Sequence, residues 1–324
     1  MSPKSGNSEF TVIGSGIIGI SSALALQKEG FRVTVVDREK PGQSCSFGNA
    51  GAISPSSALP NSLPGMMFKV PGWLFREDGP LFIQWQYFPK LIPWLIRFLN
   101  SANWDKVDET TSSLLALHAS CFRLYQDLVK EIGAEDLIVE SPVIHLYKKE
   151  EDFKSALSIW KILKNKGIDY EELDEPLVRE NEPNLSSDYQ FGVLFRNSGF
   201  SSNPFRLVEK MSERFLSDGG DFIHESVQHI KPGEQENITL KLENREIQSE
   251  RVLVAAGAWS HQLASQLGVK IPLETERGYH VTLNSKEGGP QNIVMEAAHK
   301  FMACLLYTSP SPRDRTRSRM PSSA

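Results

Sequence analysis

The chain has 324 residues, a formal net charge of −5 and three cysteines. This length suffices for two domains, and the acidic balance provides no diffuse basic surface of the kind that binds nucleic acid. Cys45, Cys121 and Cys304 are too few and too scattered for a disulfide framework, and the histidines show no metal-ligand spacing. We therefore expect a cytoplasmic protein from a reducing compartment, with no structural metal and no nucleic-acid partner.

The first motif is a glycine-rich turn between a predicted strand, residues 10–13, and a predicted helix, residues 17–29. Gly14, Gly16 and Gly19 stand between them in the spacing GxGxxG. In that spacing the glycines allow a tight turn, a close approach of pyrophosphate to the backbone, and close packing of the helix on the sheet. The motif therefore predicts a phosphate-binding turn.

A carboxylate follows the turn at the position that a ribose requires. Residues 32–36 predict a second strand, and Asp37 ends it eighteen positions after Gly19. The backbone at Ile17 and Ile18 opens the predicted helix, where N–H groups face bound phosphates. Strand, turn, helix, second strand and acid together predict a dinucleotide-binding unit.

Two segments come next along the chain. Residues 41–55 form a Gly/Ser-rich loop, which beside a cofactor site usually serves the ligand. Residues 80–99 are the most apolar stretch, but two prolines and two basic residues interrupt it, which argues against a membrane-spanning helix. We expect a helix packed on its own domain, with an interfacial membrane contact as the alternative.

The remaining chain predicts a separate α+β region inserted into the nucleotide domain. Residues 105–133 predict one long amphipathic helix, whose apolar stripe we assign to the core. Asn203 and Pro204 are typical of a helix start. The further predicted elements are strands within 137–148, a helix over 152–166, a strand over 190–196, a helix to residue 217, strands within 221–230, 237–243 and 251–256, and a helix from the Gly257 turn through residue 267.

Several segments together resemble one family, the FAD-dependent amine and amino-acid oxidoreductases of the D-amino acid oxidase and glycine oxidase type. The D-amino acid dehydrogenase branch is the most similar. The segments are VIGSGIIG at 12–19, SFGNAG at 46–51, VLVAAGAWS at 252–260 and RGY at 277–279. The first is common to many folds, whereas the combination is specific.

This resemblance implies an α/β and α+β fold with a discontinuous Rossmann-like FAD-binding domain and an inserted substrate domain that contains a mixed sheet. The FAD-binding domain would comprise residues 9–56 and 200–270. The substrate domain would comprise residues 57–199 and 271–303. Residues 304–324 are basic and rich in serine and proline, and we expect them to form a disordered tail that is not native.

The resemblance also implies the contacts with FAD. The loop at 46–51 would lie against the flavin ring, and on composition alone a plain Gly/Ser turn is the less favoured alternative. For Val227, core packing is the simpler interpretation. The implied contacts are Gly14, Gly16, Ile17, Ile18 and Gly19 with the pyrophosphate, Asp37 and Arg38 with the adenosine, Ser46, Asn49, Ala50 and Gly51 with the flavin, Val227 with the adenine, and Ala256 and Gly257 near the diphosphate.

In this family a hydride passes from the substrate α-carbon to flavin N5, and the resulting imine hydrolyses to a keto acid and ammonia. The substrate would be a small-molecule amino acid or amine, and the electron acceptor oxygen, a quinone or another carrier. Arg277, Tyr279 and His280 are expected on a strand that lines the substrate side, with Arg277 pairing with a carboxylate. For Cys45, a small buried residue is favoured over covalent flavin attachment or a redox thiol.

Two other functions stay open at this point. A nicotinamide-dependent dehydrogenase would use the same turn and Asp37. A non-catalytic dinucleotide-binding module is the second alternative, because family members continue well beyond Ala303 with further active-site elements. For the same reason we expect low soluble yield and little activity from the chain as printed. Peripheral contact of residues 80–99 with the inner face of a membrane is the alternative to a purely cytoplasmic location.

Overall fold

The structure is a computed structural model that describes residues 9–65, 86, 88–233, 237–273, 278–283 and 288–305. Three predictions fall wholly or partly outside these ranges. They concern Arg277, most of the amino-terminal half of the apolar stretch at 80–99, and the tail from residue 306 onward.

The described helices and strands follow the predicted order, with boundaries mostly within a few residues. The helices are α1 (Ile17–Lys28), α2 (Phe88–Ser101), α3 (Trp104–His118), α4 (Cys121–Ile132), α5 (Glu150–Asn165), α6 (Glu175–Asn181), α7 (Pro204–Ser217) and α8 (Ser260–Gln266). The strands are β1 (Glu9–Ile13), β2 (Arg32–Asp37), β3 (Ala52–Ile53), β4 (Ile138–Glu140), β5 (Val143–Tyr147), β6 (Glu171–Leu173), β7 (Phe191–Phe195), β8 (Gly199–Ser201), β9 (Asp221–His224), β10 (Val227–Pro232), β11 (Ile238–Leu242), β12 (Glu246–Ser249), β13 (Arg251–Val254), β14 (Ile293–Glu296) and β15 (Phe301–Ala303).

The first of two compact units lies within residues 1–49, 129–137 and 203–283. Its parallel sheet has the strand order β13-β1-β2-β9. An antiparallel sheet, β10-β11-β12, belongs to the same unit, and both sheets contribute to one apolar core around Ile13 and Leu240. Parallel order with a helix after the first strand is the Rossmann-like arrangement expected from the sequence.

The second unit lies within residues 50–128, 138–202 and 284–324. It contains a mixed five-stranded sheet, β15-β14-β5-β7-β6, and a three-stranded sheet, β3-β8-β4. Tyr147, Trp160 and Phe195 form an aromatic core on one face of β5 and β7. The units differ from the predicted domains at 50–56 and 200–202, which fall in the second unit, and at 129–137 and 271–283, which fall in the first.

The prediction of one long helix over 105–133 is wrong. The helix α3 ends at His118, and α4 begins at Cys121. The stripe assigned to the core is also wrong in part, because Leu117 and Leu124 are 71% and 54% exposed. Apolar residues recur at helical spacing on both sides of the two-residue break, so the periodicity alone cannot reveal the turn.

Other expectations need correction. Cys45 is exposed rather than buried. Residues 278–283 are not in a strand, so the described part of the predicted 277–280 strand does not form. The apolar stretch does contain α2, where Ile92, Trp94 and Ile96 are exposed.

Among the described residues, no helix is both long enough and apolar enough to span a membrane. Within those same ranges, His, Cys, Asp and Glu side chains form no group of three or more that would hold a metal ion.

Candidate cofactor site

The glycine turn after β1 is packed against its own backbone. Gly14 has φ +112°, which L side chains rarely adopt, and a Cβ there would overlap the Ala255 carbonyl. A Cβ at Gly19 would overlap the Gly14 carbonyl oxygen. The Gly14 N–H donates to the Val36 carbonyl at 2.9 Å. These two glycines are therefore required by the turn itself, which joins three strands and the start of α1.

Gly16 differs from the other two glycines. Its φ of −71° suits any residue, and a Cβ there would meet only the Ser46 Oγ, at 3.6 Å. Among the described residues, nothing near it demands a glycine. A ligand that touches this stretch of backbone would demand one, so the turn fits a bound pyrophosphate.

The amino terminus of α1 is arranged to receive an anion. Gly16 is the N-cap and offers no side chain, and no acidic residue lies in the first turn. Ser46 is 7% exposed, and its Oγ accepts from the Ile17 N–H at 3.1 Å. This bond brings residues 46–49 to the helix start. Ile18, in the same first turn, is largely exposed.

Asp37 holds the glycine turn from the end of β2. Its Oδ2 accepts from the Ser15 N–H at 2.6 Å and from the Ser15 Oγ at 2.9 Å, and its Oδ1 accepts from the Glu39 N–H at 2.9 Å. An ionised carboxylate has about four acceptor positions. Three acceptor positions of Asp37 are therefore used within the chain. The predicted ribose contact has only the fourth position, unless the Ser15 side chain rotates away from the carboxylate.

Arg38 lies beside the turn that follows β13. Its guanidinium carbon is 4.4 Å from the centre of the Trp259 ring, a cation–π distance. Ala256 is the N-cap of the short 3-10 helix Gly257–Trp259, and Gly257 has φ +55°. The sequence predicted cofactor contacts for Arg38, Ala256 and Gly257, whereas Trp259, two residues after the glycine and within the 252–260 motif, was given no role.

The other predicted cofactor residues are spread over both units. In the first, Asn49 is exposed and its Nδ2 donates to the Cys45 carbonyl at 3.1 Å, and Val227 packs into the core of that unit. In the second, the Ala50 carbonyl accepts from the Cys304 Sγ at 3.4 Å, and Gly51, with φ +64°, accepts from the Ser201 N–H at 2.9 Å.

The predicted substrate residues are less completely placed. Tyr279 is 82% exposed. The imidazole of His280 packs on Gly48 so closely that a Cβ at Gly48 would lie 2.8 Å from its Cε1. His280 therefore lies against the loop that the sequence assigns to the flavin, whereas Arg277 lies outside the described residues.

The chain matches a family model and curated proteins over most of its length. The family model described as FAD dependent oxidoreductase (DAO) matches residues 9–317. The chain is 36% identical over 295 residues to a D-amino-acid oxidase from Bradyrhizobium diazoefficiens, covering 90% of this chain and 70% of that protein. It is 30% identical over 285 residues to a D-amino acid dehydrogenase from Dechloromonas aromatica, covering 85% and 68%.

A solved structure shows the same fold. Glycine oxidase from Geobacillus kaustophilus matches with a TM-score of 0.60 at 18% identity, over 92% of this chain and 70% of that one. The predicted fold class and the predicted FAD cofactor are thereby confirmed. The chain belongs to the DAO family of FAD-dependent oxidoreductases.

Proposed function

We propose that this protein oxidises D-amino acids or similar small amines at the α-carbon. The observation that carries the proposal is the glycine turn. In this turn Gly16 is the N-cap of α1, and the described residues around it leave space for a side chain. The names of its relatives, a D-amino-acid oxidase and a D-amino acid dehydrogenase, support the substrate class.

FAD, when bound, would supply the hydride acceptor for oxidation of the substrate at its α-carbon. The chain binds and orients that cofactor. Backbone N–H groups at the start of α1 would direct the positive end of the helix dipole at the pyrophosphate. Asp37 holds the turn that carries these groups. Ser46 holds residues 46–49 at the helix start, where they would lie against the flavin.

The substrate residues have three proposed roles. Arg277 pairs with the substrate carboxylate, Tyr279 lines the substrate side, and His280 keeps the loop at Gly48 in place. Orientation and exclusion of water then contribute most of the rate increase. The imine product is hydrolysed in water to a keto acid and ammonia.

Product analysis tests the reaction. We expect the FAD-loaded protein to convert a D-amino acid into its keto acid and ammonia in equal amounts, and to leave the L-enantiomer unchanged. If protein with bound flavin converts neither the D-amino acid, nor its L-enantiomer, nor glycine, the proposed substrate class is refuted.

The electron acceptor is the second part of the proposal. Oxygen, a quinone and another carrier are the candidates, and the relatives include both an oxidase and a dehydrogenase. Hydrogen peroxide formed in step with the keto acid would identify oxygen. Turnover that depends on an added quinone or dye would identify the others, and co-sedimentation with lipid vesicles would test whether the exposed residues of α2 bring the protein to a membrane.

A further inference from the structure

A buried histidine in the second unit lies beneath the segment that follows the predicted flavin loop. His145, on β5, is 9% exposed, and its ring centre lies 4.6 Å from Trp160 and 5.7 Å from Phe195. Its Nε2 is 3.3 Å from the Ser56 Oγ. We define residues 51–58, which contain β3 and a short 3-10 helix, as the serine segment.

A chain of hydroxyl groups ties the serine segment to the sheets. The Ser56 Oγ lies 2.9 Å from the Ser54 Oγ, which accepts from the Ser198 Oγ at 3.1 Å. At the start of the segment, the Gly51 carbonyl accepts from the Ser201 N–H at 2.9 Å. The imidazole is the last member of this chain and the one whose charge changes with pH.

The surroundings of His145 favour the neutral imidazole. Burial lowers its pKa from 6.5 to about 3, and the positive charge of Lys300 acts in the same direction. The paired residues on neighbouring strands, Val193 and Met295, are uncharged. On α5, the Trp160 indole donates to the hydroxyl of Tyr147, which burial keeps protonated by raising its pKa to about 12.

We propose that His145 is a positioning residue whose neutral imidazole keeps the serine segment closed, and that acid opens this segment. His145 acts on the serine segment and not by contact with cofactor or substrate. The segment begins at Gly51, the last residue of the predicted flavin loop, so opening would release one end of that loop. This last step rests on the proposed function, whereas the opening itself does not.

The size of the effect follows from linkage. When the segment opens and water reaches the imidazole, its pKa returns to about 6.5. A proton then favours the open form at every pH below that value. Between pH 7.5 and pH 5.5 the opening equilibrium should rise about tenfold, because the closed form has a pKa of about 3 and stays unprotonated throughout this range.

Amide hydrogen exchange of peptides covering the serine segment tests the proposal, with rates corrected for the intrinsic effect of pH. We expect about a tenfold larger opening equilibrium at pH 5.5 than at pH 7.5 in the wild type and in His118→Gln, a control at the end of α3. His145→Gln should abolish this dependence. A pH-independent wild type, or the same dependence in His145→Gln, would overturn the proposal.

Two further measurements keep the outcomes distinct. Should His145→Gln fail to fold, Ser56→Ala replaces it, and faster exchange of the segment at pH 7.5 is expected; exchange equal to wild type would contradict the proposal. FAD affinity should fall up to tenfold over the same pH range in the wild type but not in His145→Gln. Absence of FAD binding at every pH refutes the proposed function, while the exchange data still decide whether the segment opens.

Discussion

The glycine turn and the predicted substrate residues differ in what determines them. At Gly14 and Gly19 the main chain passes so close to its own carbonyl groups that a side chain has no space. Tyr279, in contrast, is 82% exposed, and residues 278–283 belong to no strand. Backbone sterics define the glycine turn within a few residues, whereas the predicted substrate residues have no such local constraint.

The largest expected effect comes from filling the turn. Gly19→Ala would place a methyl group on the Gly14 carbonyl oxygen, and the backbone would have to move. We expect a loss of at least about 3 kcal/mol of unfolding free energy, together with loss of FAD binding. Urea unfolding and flavin titration measure the two effects, and wild-type stability would contradict the account of the turn.

Gly16→Ala is the matched variant, because its Cβ would meet only the Ser46 Oγ at ordinary contact distance. Here stability without cofactor should stay within about 1 kcal/mol of wild type. FAD affinity should fall at least tenfold, since the methyl group would occupy the space assigned to pyrophosphate. If Gly16→Ala binds FAD as the wild type does, the phosphate lies elsewhere.

Acid should weaken the second unit through His145. Its pKa is about 3 in the folded chain and about 6.5 when unfolded, so the unfolded chain binds the extra proton below pH 6.5. The free energy of unfolding therefore falls as the pH falls from 6.5 toward 3, and the loss at pH 4.5 is about 3 kcal/mol. Unfolding curves of the wild type and of His145→Gln at pH 6.5 and pH 4.5 measure this contribution. The same pH dependence in both proteins would contradict it.

A smaller effect is expected at the start of α1. Ser46→Ala removes the acceptor of the Ile17 N–H. Loss of a helix cap costs about 1 kcal/mol, and residues 46–49 should become more mobile because this bond holds them at the helix. Exchange of the loop amides relative to those of α7 measures it, and unchanged exchange would show that Ser46 does not hold the loop.

The sequence was sufficient for the nucleotide-binding unit because its signals are local. The strands before and after α1, the glycine turn and the N-cap at Asn203 all depend on neighbouring residues. The fold class followed from the order of these elements. The predicted ribose role of Asp37 came from the same pattern, but spacing alone gives no sign of its bonds to Ser15.

Features that depend on distant residues were missed. The cap of α1 comes from Ser46, 29 residues further along the chain, and rules for adjacent N-cap positions do not reach it. The network of His145 joins residues from 54 to 198, and no motif marks it. The strand that the family resemblance implied at 277–280 does not form in its described part, residues 278–280. A strand needs a pairing partner, and a short motif does not specify one.

The central claim is that the turn around Gly16 binds FAD, and a flavin titration of the purified protein tests it most directly. We predict visible flavin absorption bands, saturable binding of FAD near one equivalent, and loss of this binding in Gly16→Ala without loss of stability. A colourless wild-type protein that refuses FAD but binds a nicotinamide dinucleotide would contradict the account.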